Sequence, residues 1–339
     1  MTDTSERSNI PLHSPPVVIS GMRSTGLLHL GHYMGVLRNW VELQHHYTAF
    51  FMVADWHSLT TKHEDTRQLP EFRFSIVLDW LAAGVDPKQA SIYFQSSIPE
   101  IAELHLLLSM ITPNKWCETD PTLKDMVISG ELSYGLLGYP VLQTADILAV
   151  GGSLVPVGRD QLAHLEISRD IARRFNHLTG RAVFQEPKPL LTETPAVIGL
   201  DGRKMSKSYG NAIELSASEE ETWHAIKTAV TDAKRISKTD PGEPQDCKAV
   251  FPWYQVFSDA TTCEVVAQEC RAGSRGCMAC KKQLAELVNA QLAPIRERRQ
   301  DYASDLSQVQ AIIQTGTETA REQASQVLQQ VRRAFHLIS

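Results

Sequence analysis

The chain has 339 residues, more than one typical domain core accommodates, and this length indicates two domains. Its hydrophobic and charged fractions, 42% and 21%, are those of a soluble globular protein and exclude a disordered chain. A net charge of −6 excludes nucleic-acid binding over the whole surface, and the polar stretch up to Pro16 lacks the apolar run of a signal peptide. We therefore expect a cytoplasmic protein without a membrane segment.

The first 200 residues alternate between short apolar runs and longer helical patterns. Strands are predicted at 17–19, 50–54, 91–94 and 154–156, and helices at 32–43, 67–83, 100–110, 123–129 and 160–175. Strands that alternate with helices indicate an α/β domain with a doubly wound parallel sheet. In such a sheet, ligands bind beyond the carboxyl ends of the strands.

A second domain, predicted to be mostly helical, begins near Asn211. Ser218 and the three glutamates after it are typical of an N-cap with an acidic first turn, and they predict a helix to about Val230. Two more long helices are predicted at 277–302 and 317–335. The resulting division is an N-terminal extension (1–16), an α/β domain (17–210) and a helical domain (211–339).

A turn with several glycines, residues 21–32, lies between the first strand and the first long helix. Its glycines allow the backbone to approach a ligand, and the helix N-terminus offers unpaired N–H groups to phosphate. His29 and His32, three residues apart, are predicted on one face of a helical turn, where two imidazoles can hold phosphate oxygens. Taken alone, this pattern is better explained by an ordinary turn with exposed histidines.

A second motif, Lys204-Met205-Ser206-Lys207-Ser208, follows near the end of the α/β domain and is bracketed by glycines. Its two lysines suit the binding of a departing polyphosphate, because lysine acts as a flexible point charge. The alternative is a solvated linker between domains. Both motifs, in this order at the two edges of one α/β domain, resemble the HIGH and KMSKS motifs of class I aminoacyl-tRNA synthetases, and the resemblance covers about residues 17–335.

This resemblance implies ATP-dependent activation of an amino acid, with Mg²⁺ accompanying ATP, followed by transfer of the aminoacyl group to tRNA. It implies that the catalytic residues are His29, His32, Lys204 and Lys207. The residues implied to bind ATP are Arg23, Ser24, Thr25, Gly31, His32, Gly158, Arg159, Asp160, Val197, Lys204, Met205, Ser206, Lys207 and Ser208. Loss of one well-placed donor to the transferring phosphate costs about 3 kcal/mol of transition-state stabilisation.

Residues 139–148 and 155–166 resemble the tyrosine and tryptophan synthetases, and together with 53–57 they resemble the tryptophan enzymes in particular. The residues implied to bind tryptophan are Tyr139, Gln143, Asp146 and Gln161. Asp146 would accept the indole N–H, so that amino acids without this donor would leave a buried carboxylate unpaired. Such a site can favour tryptophan over an amino acid that lacks the donor by a factor of about 10⁴, without an editing reaction.

Other functions remain open at this point. One is a tyrosine–tRNA ligase, because Gln143 in a Tyr-x-x-x-Gln-x-x-Asp pattern also suits a tyrosine site. Against this alternative, the Gly-Gly-x-Asp-Gln stretch expected of tyrosine enzymes is missing. A second is a synthetase-like protein that binds RNA without charging it, which the complete set of histidines and lysines argues against. The partners implied by the tryptophan family are tRNA(Trp), L-tryptophan, ATP and a second copy of the chain in a homodimer.

Four cysteines, Cys247, Cys270, Cys277 and Cys280, have the spacing C-x22-C-x6-C-x2-C. Disulfides are not expected in a cytosolic chain, and the Cys-x-x-Cys pair is a half-site for zinc or for an iron–sulfur cluster. The spacing alone favours zinc. It resembles, however, a subset of bacterial tryptophanyl-tRNA synthetases with a [4Fe–4S] cluster in the C-terminal domain, which implies such a cluster here, with Zn²⁺ as the alternative.

Overall fold

The computed structural model describes residues 15–119, 123, 132–158, 162–191 and 197–339, with Ser208 described by its backbone only. Most of the predicted helix at 123–129 lies outside these residues. So do Arg159, Asp160 and Gln161, which were predicted to bind ATP and tryptophan.

Five parallel strands form one sheet in the order β3-β2-β1-β4-β5. They are β1 (Val17–Arg23), β2 (Thr48–Ala54), β3 (Ala90–Phe94), β4 (Leu154–Val157) and β5 (Lys188–Leu191). The strand order reverses between β1 and β4, and the crevice beyond the carboxyl ends of these two strands is where such sheets bind ligands. The predicted doubly wound parallel sheet is confirmed. β5 was not predicted, because its short apolar stretch contains Pro189, and a proline argues against a strand.

Helices connect the strands. The first, α1, has three consecutive segments, Leu30–His32, Tyr33–Leu37 (a π-helix) and Arg38–Leu43. The next are α2 (Asp55–Lys62), α3 (Leu69–Ala83), α4 (Pro99–Ser109), α5 (Asn114–Glu118), α6 (Tyr134–Leu137), α7 (Tyr139–Ala149) and α8 (Leu162–Thr179). The α3 helix ends where the sequence predicted, at Gly84, whose φ of 111° is a conformation that favours glycine.

Both faces of the sheet are buried, as expected for parallel strands. On β2, Phe51 and Val53 belong to one apolar cluster, whereas Phe50 and Met52 belong to the other. The ring of Phe51 stacks on Trp40 of α1 with their centroids 4.3 Å apart. Burial of large side chains on both faces fixes the strand positions, and hence the edge at which the carboxyl ends meet.

The C-terminal part is helical, as predicted. Its helices are α9 (Glu219–Thr228), α10 (Val250–Phe257), α11 (Ala260–Arg271), α12 (Cys277–Ser304) and α13 (Leu306–Ala334). The capping box at Ser218 is confirmed, since its hydroxyl accepts the Glu221 N–H at 3.1 Å. The last helix begins at Leu306 rather than near residue 317, because the Asp305 carboxylate caps it by accepting the N–H groups of Ser307 and Gln308.

The last helix packs back against the sheet. An ideal Cβ on Gly316 would lie 2.2 Å from the backbone oxygen of Ile92 in β3, so only glycine fits at this crossing. Before the crossing, Val309 packs in one apolar cluster, and after it Ala320 packs in the other. The α13 helix therefore passes over the β3 edge from one face of the sheet to the other. None of the helices in the described ranges has the length and apolarity needed to cross a bilayer.

Candidate active site

The turn after β1 places two histidines at the start of α1. His29 caps this helix, and its Nδ1 accepts the N–H of Gly31 at 3.1 Å. The backbone N–H of His29 donates in turn to Nδ1 of His32 at 3.1 Å, and the two ring centroids lie 3.8 Å apart. Because both Nδ1 atoms accept hydrogen bonds, each neutral ring carries its proton on Nε2 and retains one donor for a ligand.

Both imidazoles are held neutral. Burial lowers the pKa of His32 to about 3, and the neighbouring His29 and Lys207 lower it as well. Burial and then Lys207 lower the pKa of His29 to about 4. At pH 7 both side chains therefore offer uncharged N–H groups, which suit hydrogen bonds to phosphate oxygens without repelling the nearby lysine.

The structure brings the lysine motif against this turn. Met205 is buried, and its sulfur accepts the N–H of Gly31 at 3.3 Å. The Lys207 ammonium lies 2.9 Å from the ideal Cβ position of Gly26, where φ is +147°. A side chain at Gly26 would therefore displace Lys207 and strain the backbone. The two motifs, far apart in sequence, form one site as predicted from their pairing.

A buried amide, which sequence reasoning missed, organises the lysine loop. The Oδ1 atom of Asn211 accepts the N–H of Ser206 at 2.8 Å. Its Nδ2 donates to the Lys204 backbone oxygen at 3.1 Å and to Oδ1 of Asp201 at 2.7 Å. The Lys204 side chain itself is exposed. Asn211, three residues after the motif, thus fixes the backbone of Lys204 and Ser206.

Five more of the predicted ATP residues, Arg23, Ser24, Thr25, Gly158 and Val197, are among those that the structure describes. Arg23 ends β1 and donates to Thr61, while the backbone N–H of Ser24 donates to Oγ of Ser58 at 2.8 Å. Burial lowers the pKa of Arg23. Thr25, the residue after Ser24, is half-buried. Gly158 directly follows β4. The carbonyl of Val197 accepts the N–H of Met205 at 3.4 Å.

The pKa of Lys207 predicts how ATP use depends on pH. Burial lowers this pKa to about 8, against the attraction of Glu214 and Asp79. The ammonium charge is therefore present below pH 8 and lost above it, so we expect kcat/KM for ATP to fall as the pH rises through about 8. Lys207→Arg should extend the plateau to higher pH, because arginine keeps its charge. A profile flat to pH 10 (roughly the ordinary lysine range) would contradict this assignment.

A second group of polar side chains surrounds Asp146 on α7. Tyr139 and Gln143 precede it at helical spacing, and the carboxyl group is buried, at 3% exposure. Its Oδ2 is 2.8 Å from Nε2 of His57, and its Oδ1 accepts Nε2 of Gln95 at 2.8 Å. Burial raises the pKa of Asp146, whereas these two hydrogen bonds lower it.

His57 and Gln95 were not assigned to the site from the sequence. They follow the ends of β2 and β3, so the rule that ligands bind beyond the carboxyl ends of strands would have found both. The rings of His57 and Tyr139 lie 4.5 Å apart. Within the described ranges, buried Oε1 of Gln143 and the hydroxyl of Tyr93 have no hydrogen-bond partner. Buried polar atoms of this kind are satisfied by water, an ion or a ligand.

The four cysteines of the predicted metal site line one small cavity of about 30 Å³ between α10, α11 and α12. Arg235 also lines it, and its Nη1 lies 3.8 Å from Sγ of Cys270 and 3.7 Å from Sγ of Cys277. No three described His, Cys, Asp or Glu side chains are arranged to hold a metal ion. The four thiols therefore share one cavity without forming a preorganised ligand set for either zinc or an iron–sulfur cluster.

Comparison with known proteins agrees with this geometry. Residues 12–293 match the family described as tRNA synthetases class I (W and Y). A tryptophan–tRNA ligase of Thermotoga maritima is 44% identical over 95% of this chain and 99% of its own. The tryptophan–tRNA ligase of Aquifex aeolicus is 39% identical over 94% of this chain and 99% of its own. The tryptophanyl-tRNA synthetase of Campylobacter jejuni, solved with ADP and tryptophan, has a TM-score of 0.87 at 33% identity, covering 94% of this chain and 99% of that one.

The parallel sheet with its two joined motifs defines the fold and site of a class I aminoacyl-tRNA synthetase. The chain belongs to the tryptophan and tyrosine family of these enzymes, and it is an aminoacyl-tRNA ligase. The resemblance to class I aminoacyl-tRNA synthetases inferred from the sequence is thereby confirmed.

Proposed function

We infer that the chain is a tryptophan–tRNA ligase, which activates L-tryptophan with ATP and transfers it to tRNA(Trp). The observation that carries the choice of amino acid is the buried Asp146, whose two oxygens are oriented by His57 and Gln95. An ionised carboxylate has about four acceptor positions, so it can still accept an indole N–H. The similarity to tryptophan–tRNA ligases over nearly the whole chain supports the same choice.

In the first step, a carboxylate oxygen of tryptophan forms a bond to the α-phosphorus of ATP. The bond from that phosphorus to the bridging oxygen breaks, and pyrophosphate leaves with this electron pair. Catalysis of such transfers is mainly positioning and charge stabilisation. We assign Nε2 donors of His29 and His32 to the transferring phosphate, and the ammonium groups of Lys204 and Lys207 to the departing pyrophosphate. Mg²⁺ accompanies ATP as part of the substrate.

In the second step, a terminal ribose hydroxyl of tRNA attacks the carbonyl carbon of the adenylate, and AMP leaves. We place this reaction in the cytoplasm. We also propose a homodimer. Its support is the C-terminal end of α4, where Leu106 and the C-cap residue Met110, one helical turn apart, are 53% and 70% exposed. Exposed apolar side chains at this spacing suit a surface covered by a second chain.

ATP–pyrophosphate exchange, measured with each amino acid in turn, tests the assignment. We expect exchange with tryptophan and none with tyrosine, because the phenol O–H lies at the far end of its ring and the indole N–H at the side of its ring, so the two donors would not meet Asp146 in the same place. Exchange with tyrosine alone would make the chain a tyrosine enzyme. No exchange with any amino acid would favour an RNA-binding protein that does not charge tRNA.

We further propose that the cysteine cavity holds a [4Fe–4S] cluster, bound by Cys247, Cys270, Cys277 and Cys280. The support is that the four cysteines with the C-x22-C-x6-C-x2-C spacing line one cavity together, and four thiolates are the ligand set of such a cluster. When bound, the cluster would supply rigid cross-links. It would hold the adjacent basic side chains, Arg271 and Lys282 among them, in place for the tRNA anticodon, without redox chemistry.

The cluster proposal predicts brown protein with broad absorption near roughly 400 nm, lost on oxidation. Cys277→Ser should abolish this absorption and slow tRNA charging, while tryptophan-dependent adenylate formation continues. Cys263→Ser is the matched control, because Cys263 lies on α11 outside the cavity lining and contacts Ser258 instead. Colourless protein with one zinc per chain would contradict the cluster. Normal charging by a folded Cys277→Ser variant would contradict its role in tRNA recognition.

A further inference from the structure

The lysine motif begins within a short antiparallel turn, residues 197–205, here called the lysine turn. Ile198 and Lys204 pair across it in an antiparallel bridge. The chain reverses before Gly202, whose N–H donates to the backbone oxygen of Gly199 at 3.0 Å. Any contact that holds Ile198 in place therefore also holds Lys204, the first residue of the motif.

Trp253 of α10 holds the lysine turn from the C-terminal helices. Its indole N–H donates to the backbone oxygen of Ile198 at 2.7 Å, across 55 residues of sequence. The Trp253 side chain is 2% exposed and belongs to the same apolar cluster as Val197 and Met205, the residues on either side of the bridged pair. A buried N–H without an acceptor costs free energy, so this hydrogen bond opposes movement of the turn away from α10.

Two further contacts join the lysine turn to the C-terminal helices. The N–H of Val230, which lies just after α9, donates to the backbone oxygen of Leu200 at 2.8 Å. An ideal Cβ on Gly202 would lie 2.8 Å from Cβ of Lys248, so the turn lies directly against the chain that leads into α10. The lysine turn is thus attached at three points to the part of the chain after the motif.

The rest of the motif lies against the sheet. The Met205 sulfur accepts the N–H of Gly31 at 3.3 Å, and the Lys207 ammonium lies 2.9 Å from the ideal Cβ position of Gly26. The motif therefore bridges two parts of the molecule. Its first residues are held by the C-terminal helices, and its second lysine reaches the turn that follows β1.

We propose that Trp253 is a positioning residue for the ATP reaction. Its indole N–H fixes the start of the lysine motif, so that Lys204 and Lys207 are placed for the polyphosphate of ATP. Trp253 acts through the backbone of Ile198 and touches no substrate. The role deepens the proposed function and rests on it, since it concerns the step in which pyrophosphate leaves.

Trp253→Phe tests this role, because phenylalanine keeps a buried aromatic ring and removes the N–H. We expect kcat/KM for ATP in tryptophan-dependent exchange to fall by about tenfold, since a misplaced binding group loses transition-state stabilisation. Tryptophan affinity, measured by calorimetry, should stay the same, because the lysine motif acts on ATP and not on the amino acid.

Tyr254→Phe is the matched control. Tyr254 is the next residue of α10 and is buried, and its hydroxyl donates to the backbone oxygen of Cys280 in α12 at 2.7 Å. This variant also loses an aromatic donor to a backbone oxygen, but the contact joins two C-terminal helices. It should lower thermal stability and leave kcat/KM for ATP unchanged. Equal loss of ATP use in both variants, or loss of stability alone in Trp253→Phe, would overturn the proposal.

Trypsin provides a measurement that does not depend on activity. Arg203, Lys204 and Lys207 are exposed cleavage sites in the lysine turn or just after it. Cleavage requires local opening, so Trp253→Phe should be cut at these sites roughly fivefold faster, the size expected for one lost hydrogen bond. Tyr254→Phe should be cut there at the normal rate. Fragment masses identify the sites, and equal rates in the two variants would contradict the role of Trp253.

A glycine substitution keeps the test decisive if Trp253→Phe does not fold. Gly202→Ala would push the turn away from Lys248, with added strain from its φ of 82°. Gly180→Ala is the control, because Gly180 has a φ of 65° and no described atom within 4 Å of its ideal Cβ position. Only Gly202→Ala should use ATP poorly, and normal use would overturn the proposal. Absence of tryptophan-dependent exchange in the unsubstituted enzyme would instead overturn the proposed function, while the trypsin comparison would still test Trp253.

Discussion

Lys207→Ala should lower the single-turnover rate of tryptophanyl-adenylate formation by about 10²-fold, which corresponds to a loss of about 3 kcal/mol of transition-state stabilisation. The physical reason is that the Lys207 ammonium, which lies close to the Gly26 turn, would stabilise the negative charge that develops on the departing pyrophosphate. Tryptophan affinity, measured by calorimetry, should stay the same, because the residues around Asp146 are unaffected. The substitution therefore separates catalysis from amino-acid binding.

A suitable control is Lys282→Ala, which removes an exposed ammonium from α12 and leaves the ATP crevice unchanged. Neither lysine belongs to an apolar cluster, so neither substitution should unfold the protein. Adenylate formation at the normal rate in Lys207→Ala would remove Lys207 from the mechanism.

Asp146→Asn should reduce kcat/KM for tryptophan by about 10³-fold, since sites built to pair one donor lose most of their discrimination without the acceptor. In the unsubstituted protein, both His57 and Gln95 contact an oxygen of the Asp146 carboxylate. Asparagine replaces one of these oxygens with an NH₂ group, so an amide N–H would face either His57 or Gln95. A modest loss of thermal stability should accompany the change.

A substrate analogue separates these two effects. Benzothienylalanine has the shape of tryptophan with sulfur in place of the indole N–H. The unsubstituted enzyme should prefer tryptophan strongly over this analogue, whereas Asp146→Asn should lose most of that preference. If the preference persists in the variant, the indole N–H is bound by another residue.

The sequence predicted the sheet well, because four strands have buried apolar runs. It also predicted that the turn at 21–32 and the lysine motif belong to one site, which Met205 and Gly31 now join. The position of both motifs followed from the rule for parallel sheets. These predictions succeed because local pattern and a general rule of topology are sufficient for them.

Contacts between distant residues could not be predicted in the same way. The pairs His57–Asp146 and Asp79–Arg299 join residues that no local pattern relates, and only the packing of helices on the sheet brings them together. Asn211 is similar, because its role depends on the shape of the loop before it. Single polar residues in apolar helices, such as Asp79 in α3, are nevertheless a usable signal, since a buried charge requires a partner.

The crossing of α13 over β3 has a consequence for how the protein can be divided. An outer strand presents unpaired N–H and C=O groups that recruit strands from other molecules. Here Gly316 brings a helix directly onto Ile92 of β3, the outermost strand on that side. A fragment ending before Leu306 would uncover this strand. We therefore expect this fragment to aggregate, because the final helix protects the β3 edge from pairing with strands of other molecules.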